Sequence, residues 1–200
     1  MHDLVIFDCD GVLVDSEPAS AACIVENLAR HSLNISLADC AGFFLGGTMA
    51  GVMETARKLG ADLPDDWLDE IYGEIYDRLR QGVLPIPGIP KLLDELDKAS
   101  MPYCVASNGS VDKMRITLGQ NDLFDRFEDR MLSAHDLGTA KPEPHMFLTA
   151  AARFGSARPV VIEDSANGAQ AAQRAGMRCL GYVPEGGGQG LARFGAEIFD

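Results

Sequence analysis

One stretch near the N-terminus decides the fold: Leu4-Val5-Ile6-Phe7-Asp8-Cys9-Asp10-Gly11-Val12-Leu13-Val14-Asp15-Ser16. Its first four residues are apolar, and two aspartates, Asp8 and Asp10, follow almost at once. A short apolar run of this kind is typical of a buried strand in a parallel sheet. Open parallel sheets bind ligands at the carboxyl ends of their strands, so the two aspartates occupy a position where a functional site is expected.

Similar apolar runs recur along the chain and alternate with segments of helical periodicity. We predict further strands at residues 103–106, 160–162 and 179–183, with weaker ones at 130–132 and 198–199. A helical stripe with i, i+3, i+4 spacing separates two of them and contains Met146, Phe147, Ala150, Ala151 and Phe154. This alternation predicts an α/β fold with a parallel sheet covered on both faces.

The alternation is interrupted between the first and second strands. Residues 18–83 contain no strand-like run, and their periodicity predicts helices at 18–31, 48–59 and 64–80. The turn-forming residues Gly82, Pro85, Pro87 and Gly88 close the segment. We therefore predict a small all-helical insertion, residues 16–85, within a core formed by residues 1–15 and 86–200.

The charge of the chain excludes several classes of partner. Its 200 residues include 17 Lys and Arg against 30 Asp and Glu, a formal net charge of −13. Nucleic-acid binding depends on cations that neutralise phosphates, and anionic membranes attract basic surfaces. We therefore expect neither nucleic acid nor membrane as a partner.

Compartment and redox state are predicted from the cysteines and the N-terminal sequence. The five cysteines are widely spaced and contain no Cys-x-x-Cys pair, which is typical of reduced, buried thiols. No apolar run approaches the ~20 residues of a membrane span, and the N-terminus lacks the pattern of a secretory signal. We predict a cytoplasmic protein.

Polar side chains follow three of the predicted strands. Asp8 and Asp10 follow the first, Ser107 the second, and Glu163-Asp164 the strand at 160–162. Carboxylates crowded at one edge cannot all remain ionised unless a cation lies among them. Oxygen donors favour Mg²⁺ over zinc, so we predict Mg²⁺ as the cofactor.

This set of residues predicts phosphoryl chemistry on a small phosphate ester. Asp8 is the candidate nucleophile, which would form an aspartyl-phosphate. Asp10 is the candidate general acid and base, starting protonated, giving a proton to the leaving alcohol and then accepting one from water. Ser107 and Lys141, the latter in the loop at 139–144, would bind the phosphoryl oxygens. Each element alone fits a turn, a helix cap or a solvated lysine, and the prediction depends on all of them occurring in this order.

The four segments resemble the motifs of the haloacid dehalogenase superfamily. Asp8-x-Asp10-Gly11-x-Leu13-x-Asp15-Ser16 resembles its first motif, and the second, third and fourth correspond to Ser107-Asn108-Gly109, Lys141-Pro142 and Glu163-Asp164-Ser165. The insertion resembles the helical cap of the branch that contains β-phosphoglucomutases and 6-phosphogluconate phosphatases. The resemblance implies a Rossmannoid core with a mobile cap. It also implies that Asn108 contacts the phosphoryl group, and that Mg²⁺ is held by Asp8, the Asp10 backbone carbonyl and Asp164, with Glu163 beside them.

Within this superfamily the sequence favours a phosphatase. A dehalogenase would lack Asp10, and a phosphonatase would need a catalytic cap lysine, for which Lys58 is the single candidate. A sugar-phosphate sensor would show damage to the motif residues, and none is damaged. A phosphoglucomutase needs a cap cation for its second phosphate, and no basic residue occurs from Cys40 to Thr55. It remains the alternative, because Arg30, Arg57 or Arg78 could be brought in by folding.

The substrate is predicted only by class. Small and apolar residues at 46–53 indicate a compact pocket for a phosphorylated sugar or sugar acid. We expect a monomer, since the two parts of a capped enzyme must move.

Overall fold

The computed structural model describes residues 2–44, 48–184 and 186–200 and contains one six-stranded parallel sheet. The strands are β1 Leu4–Phe7, β2 Tyr103–Ser107, β3 Met131–Ser133, β4 Pro159–Glu163, β5 Arg178–Tyr182 and β6 Glu197–Phe199. Their spatial order is β3-β2-β1-β4-β5-β6, and every neighbouring pair is parallel. All six predicted strands and the predicted fold class are therefore confirmed.

Both faces of the sheet are covered. Successive residues of β1 alternate between two hydrophobic clusters, with Val5 and Phe7 in one and Leu4 and Ile6 in the other. The helices of the core are α5 Ile89–Lys98, α6 Val111–Gly119, α7 Phe124–Phe127, α8 Ala134–Leu137, α9 His145–Phe154, α10 Ala166–Arg174 and α11 Gln189–Ala192. A strand buried on both sides needs apolar residues at every position, which is why β1 reads as a continuous apolar run.

The insertion between residues 16 and 85 is helical, as predicted, but it contains four helices where the sequence predicted three. Its members are α1 Glu17–Arg30, α2 Leu37–Phe44, α3 Met49–Lys58 and α4 Trp67–Leu79. The short helix α2 was not predicted. It begins after a reciprocal cap in which Ser36 and Asp39 exchange hydrogen bonds, with the Asp39 backbone N–H 3.1 Å from Ser36 Oγ. That Ser-x-x-Asp spacing is the signal that would have revealed it.

A polar network joins α1 to α4 inside the insertion. Asn27 is fully buried, and its Oδ1 accepts a 2.7 Å hydrogen bond from the indole N–H of the buried Trp67. Its Nδ2 donates to Glu70 at 2.9 Å and to Glu74 at 3.2 Å. We call these four residues the Asn27 network. It ties together two helices that also pack through apolar side chains and pair at their surface through Arg30–Glu74 and Glu26–Arg78.

The insertion leaves and re-enters the core at one place. Val14 pairs with Pro85 in an isolated antiparallel bridge. The Asp15 N–H donates to the Leu84 carbonyl at 2.9 Å, and the Ile86 N–H donates to the Leu13 carbonyl at 3.0 Å. The outgoing and returning connections therefore run side by side.

Two findings bear on the predicted cellular environment. All five cysteines are buried and unpaired, as the spacing predicted. Among the helices of the described residues, none has the length and apolar character needed to cross a bilayer.

Candidate active site

The sheet order brings the predicted site residues to one edge. Strand β1 lies between β2 and β4, so Asp8, Ser107 and Glu163 come from three neighbouring strand ends. Asp8, Asp10, Ser107, Asn108, Lys141 and Asp164 line one cavity between this edge and the helical insertion. Glu163 lies behind the cavity and is fully buried.

Lys141 is the buried cation of the site. Its ammonium lies 2.7 Å from Asp8 Oδ1 and 2.5 Å from Glu163 Oε1, and its side chain is only 3% exposed. Burial alone would lower the pKa of Lys141, but the charges of Asp8 and Glu163 raise it overall. The lysine is therefore charged, and it connects the first and fourth motifs.

Three carboxylates converge at the edge of the sheet. Oxygens of Asp8, Glu163 and Asp164 all lie within 4.8 Å of one another. Burial, followed by the neighbouring carboxylates, raises the pKa of Asp164 to about 9. Burial also raises the pKa of Asp8 to about 7, against the opposing effect of Lys141. This excess of negative charge is what a divalent cation would neutralise, so the donor set fits the predicted Mg²⁺.

The two oxygens of Glu163 are already engaged. Oε1 pairs with Lys141, and Oε2 accepts from the backbone N–H of Ser165 at 3.1 Å and from its hydroxyl at 2.9 Å. Ser165 Oγ in turn caps α10 by accepting from the Gly168 N–H at 3.0 Å. Glu163 is therefore fixed in place as a neighbour of Asp8 and Asp164.

Two glycines make room for these acids. A Cβ on Gly11, whose φ is +74°, would lie 1.9 Å from Asp164 Oδ2. A Cβ on Gly168 would lie 1.8 Å from the carboxyl carbon of Glu163. The carboxylates can approach the backbone this closely because neither position carries a side chain.

Asp10 has different surroundings from Asp8. The Ser16 hydroxyl donates to its Oδ1, and the ammonium of Lys113 lies 2.8 Å from its Oδ2. Burial favours the protonated acid, but Lys113 and Ser16 outweigh it and lower the pKa of Asp10. Asp10 is thus a carboxylate in this arrangement, whereas the sequence argument expected it to start protonated.

Lys113 is a site residue that the sequence reasoning missed. It occupies the first turn of α6, whose N-cap is Ser110. A cation in the first turn of a helix is opposed by the helix dipole and is favourable only beside an anion. That unusual position, four residues after Gly109, was the available signal.

Ser107 and Asn108 organise the loops at the carboxyl end of β2. Ser107 is 1% exposed, and its Oγ accepts from the Gly109 N–H at 2.9 Å. Asn108 Oδ1 accepts from the Lys141 backbone N–H at 2.8 Å. Asn108 therefore holds the lysine loop against β2, a contact that the sequence did not indicate.

The insertion forms the opposite wall of the cavity. The Tyr76 hydroxyl lies 2.5 Å from Ser110 Oγ, and the Tyr72 ring packs on His135 with centroids 5.9 Å apart. Met49 and Val52 also line the cavity. Of the predicted pocket residues 46–53, Gly46 and Gly47 lie outside the described residues.

The comparison with protein families confirms the predicted superfamily. Residues 2–176 match the haloacid dehalogenase-like hydrolases. The chain belongs to this family. The prediction of an enzyme of the haloacid dehalogenase phosphatase type is thereby confirmed, in agreement with relatives that carry phosphatase names.

Two curated relatives match most of the chain. The protein SUPPRESSOR OF QUENCHING 1 of Arabidopsis thaliana is 33% identical over 88% of this chain, which spans only 17% of that longer protein. The 6-phosphogluconate phosphatase of Escherichia coli is 28% identical over 92% of this chain and 83% of its own length.

Two solved structures share the fold. A haloacid dehalogenase-like protein of unknown function from Agrobacterium tumefaciens is 34% identical, with a TM-score of 0.85 over 99% of this chain and 92% of its own. A HAD family hydrolase from Deinococcus radiodurans, solved with bound phosphate and sodium, is 31% identical. Its TM-score is 0.79 over 98% of this chain and 90% of its own.

Proposed function

We propose that this protein is a Mg²⁺-dependent phosphatase that hydrolyses a small phosphate monoester, a sugar phosphate or sugar-acid phosphate, through an aspartyl-phosphate. The observation that carries the proposal is the cluster of Asp8, Glu163 and Asp164, two of which contact Lys141, beside a cavity between the core and the insertion. The relatives with phosphatase names and the phosphate in the Deinococcus structure support it.

Asp8 is the proposed nucleophile. Its Oδ1 is held by Lys141, which leaves Oδ2 to attack phosphorus while the ester oxygen departs in line. The Lys141 ammonium offsets the charge of Asp8 and of the phosphoryl oxygens, which otherwise repel each other. Asp8, Asp164 and the backbone carbonyl of Asp10 would hold Mg²⁺, with Glu163 adjoining. When bound, the ion supplies further charge neutralisation at the phosphoryl group.

Asp10 is the proposed general acid and base. It must protonate the leaving oxygen and then take a proton from the water that hydrolyses the aspartyl-phosphate. The unliganded pair Asp10–Lys113 favours the carboxylate. A phosphoryl dianion that binds beside Lys113 competes with Asp10 for the ammonium and so raises the pKa of Asp10. We therefore propose that Asp10 becomes protonated when the substrate binds.

The placement of basic residues supports hydrolysis over the mutase alternative. None of Arg30, Arg57 and Arg78 lines the described cavity. Arg30 and Arg78 pair with Glu74 and Glu26 on the outer surface, and Arg57 donates to the carbonyl of Leu63 at 3.1 Å. A second phosphate would therefore have no cation of the insertion to bind.

We propose that residues 16–85 act as a cap on the core formed by residues 1–15 and 86–200. The side-by-side connections at Val14 and Pro85 support a pivot, and the Tyr76–Ser110 hydrogen bond supports a closed position. Scattering curves that superimpose with and without a phosphate mimic would contradict cap movement.

Phosphate release from p-nitrophenyl phosphate and a panel of sugar phosphates tests the function. We expect release with Mg²⁺, none with EDTA, and a loss of at least about 10³-fold in Asp8→Asn, because no residual nucleophile replaces the carboxylate. Lys58→Met, at an exposed lysine paired with Glu54, is the matched control and should keep its activity. Conversion of β-glucose 1-phosphate to the 6-phosphate without phosphate release would instead support a mutase.

A further inference from the structure

We propose that the cavity selects substrates whose phosphoryl group is their only anion, namely phosphate monoesters of neutral sugars or polyols, and discriminates against sugar-acid phosphates and bisphosphates. The inference rests on the proposed function and narrows its substrate class. It follows from the charges of the residues that line the cavity and from the positions of the basic residues of the insertion, which lie outside it.

The cavity has no surplus positive charge for a second anion. Its described lining includes four carboxylates, from Asp8, Asp10, Glu17 and Asp164, two ammonium groups, from Lys113 and Lys141, and the imidazole of His135, which packs on the ring of Tyr72. One divalent cation would balance this set. The phosphoryl dianion then makes the cavity negative, so a further anion would add repulsion without a partner.

Both lysines are already committed to the reacting end of the cavity. Lys141 contacts Asp8 and Glu163, and Lys113 lies 2.8 Å from Asp10. Either ammonium would have to leave a buried carboxylate to reach a carboxylate on the distal part of a substrate. Leaving a buried charge unpaired is costly, so neither serves as a distal anion site.

The wall opposite the phosphoryl position contains no cation among the residues that the structure describes. We define this insertion wall by the cavity residues of α1, α3, α4 and the α3 N-cap: Glu17, Ser20, Ile24, Thr48, Met49, Val52, Tyr72, Ile75 and Tyr76. The adjoining residues 45–47 are Leu, Gly and Gly and carry no charge.

The basic residues of the insertion are all held elsewhere. There are five between residues 16 and 85: Arg30, Arg57, Lys58, Arg78 and Arg80. Lys58, Arg78 and Arg80 pair with Glu54, Glu26 and Asp77 at 2.6, 2.5 and 2.6 Å. Arg30 pairs with Glu74 and Arg57 with the loop at 63–65, and none of the five lines the described cavity.

Glu17 adds one acidic group to an insertion wall that is otherwise uncharged. It is half-buried, and burial followed by the charge of Asp10 raises its pKa, so its surroundings already disfavour negative charge. Its carboxyl group can accept hydrogen bonds from substrate hydroxyls, as can Ser20 and Thr48. The aromatic and aliphatic residues of the wall suit the C–H faces of a carbohydrate chain.

Three phosphates of similar size test the inference. Sorbitol 6-phosphate has a neutral tail, 6-phosphogluconate has a terminal carboxylate, and fructose 1,6-bisphosphate has a second phosphate. We expect kcat/KM to be at least about tenfold higher for sorbitol 6-phosphate than for either of the others, since like charges meeting in a closed site are strongly disfavoured. Dissociation constants of the same compounds for Asp8→Asn, measured by calorimetry, should show the same order.

Changes in the insertion wall should weaken the preference in a graded way. Glu17→Gln is expected to raise relative kcat/KM for 6-phosphogluconate about threefold, and Met49→Lys about three- to tenfold, as new ion pairs at partly exposed sites do. Met49→Gln, of similar size and without charge, is the matched control and should leave the ratio unchanged.

Failure of the proposed selectivity can be distinguished from failure of the proposed phosphatase activity. Equal or better turnover and binding of 6-phosphogluconate or the bisphosphate would overturn the selectivity while leaving the phosphatase intact. Absence of phosphate release from every compound, including p-nitrophenyl phosphate, would overturn the phosphatase. The order of binding to Asp8→Asn would then still decide whether the cavity rejects a second anion.

Discussion

The Asn27 network of the insertion and the carboxylate cluster of the core are both buried and polar, but their charges are balanced differently. In the Asn27 network each polar atom has a partner of matching kind, with Trp67 donating and the two glutamates accepting. In the cluster, the Lys141 ammonium contacts Asp8 and Glu163, and the carboxylate of Asp164 lies beside them as a third acid. Hydrogen-bond counting alone does not separate them, because no buried polar side-chain atom of the described residues lacks a partner.

The comparison teaches that surplus charge indicates function more reliably than buried polarity does. A satisfied network such as that of Asn27 is fully explained by holding two helices together. A cluster with more carboxylates than cations destabilises the unliganded fold, because like charges repel one another in a buried site. Such a cluster is explained by a ligand that neutralises the excess charge. The variants below change one network at a time.

Removing the cation of the cluster should have the largest effect. Lys141→Met is expected to lower kcat by about 10²–10³-fold, since it deletes the charge that opposes Asp8 and the phosphoryl oxygens. The free energy of unfolding at pH 8, measured with urea, should fall by about 3 kcal/mol because two buried carboxylates lose their partner. At pH 5 the fall should be smaller, as Asp8 can take up a proton.

The matched control for this variant is Lys58→Met, which removes an exposed i, i+4 ion pair with Glu54. Its effect on unfolding should be within about 0.5 kcal/mol. Comparable losses in both variants would show that the buried position of Lys141 confers no special role.

Breaking the Asn27 network should affect stability alone. Asn27→Leu leaves the indole N–H of the buried Trp67 without an acceptor, which is expected to cost about 1–3 kcal/mol of unfolding free energy. Because the network does not line the cavity, kcat/KM should not change. Trp67→Phe in the Asn27→Leu background removes the orphaned donor, so the double variant should lose less than the sum of the single ones.

The smallest expected effect is a pH dependence of stability carried by Asp164. Its pKa is about 9 in the folded chain and 3.8 for the free side chain, so the folded state retains a proton that the unfolded state releases. Stability from this group is therefore present below pH 4 and is lost as the pH rises toward 9. In EDTA, the wild type should lose at least about 1.4 kcal/mol more between pH 5 and pH 9 than Asp164→Asn.

The effect of Mg²⁺ on the Tm checks whether Asp164 carries this pH dependence. A cation held by the ionised carboxylates should raise the Tm of the wild type more at pH 8 than at pH 6, and should have little effect on Asp164→Asn. A wild-type curve parallel to that of the variant would mean that the acids do not share a buried site.

The strands and the order of the motifs could be predicted from sequence because their signals are local. A strand that is buried on both faces must be apolar throughout, and ligands bind at the carboxyl end of such a strand. Residues 4–10 therefore predict both the first strand and the start of the site. The pairing of Lys141 with Asp8 spans 133 residues of sequence, and only the motif order indicated it.

The remaining features depend on tertiary contacts. Lys113 reaches Asp10 because α6 begins at the end of β2, next to β1, and this pairing also decides that Asp10 is ionised. The composition of the insertion wall depends on which faces of α1, α3 and α4 point into the cavity. Hydrophobic periodicity does not specify these faces, because each helix of the insertion packs both on its neighbours and on the core. The helix α2 is short and lacks a long apolar stripe, so its cap was its main signal.

The bridge between Val14 and Pro85 has a consequence for how this architecture can be rebuilt. The helical segment meets the core through two chain ends that lie about one strand spacing, roughly 4.8 Å, apart. A replacement segment would need closely spaced ends and a face that packs on the core, as Tyr76 and Ile75 do. We expect that a helical unit of other length or wall chemistry that keeps this face could be spliced at 14 and 85 to redirect substrate choice while the carboxylate cluster stays in place.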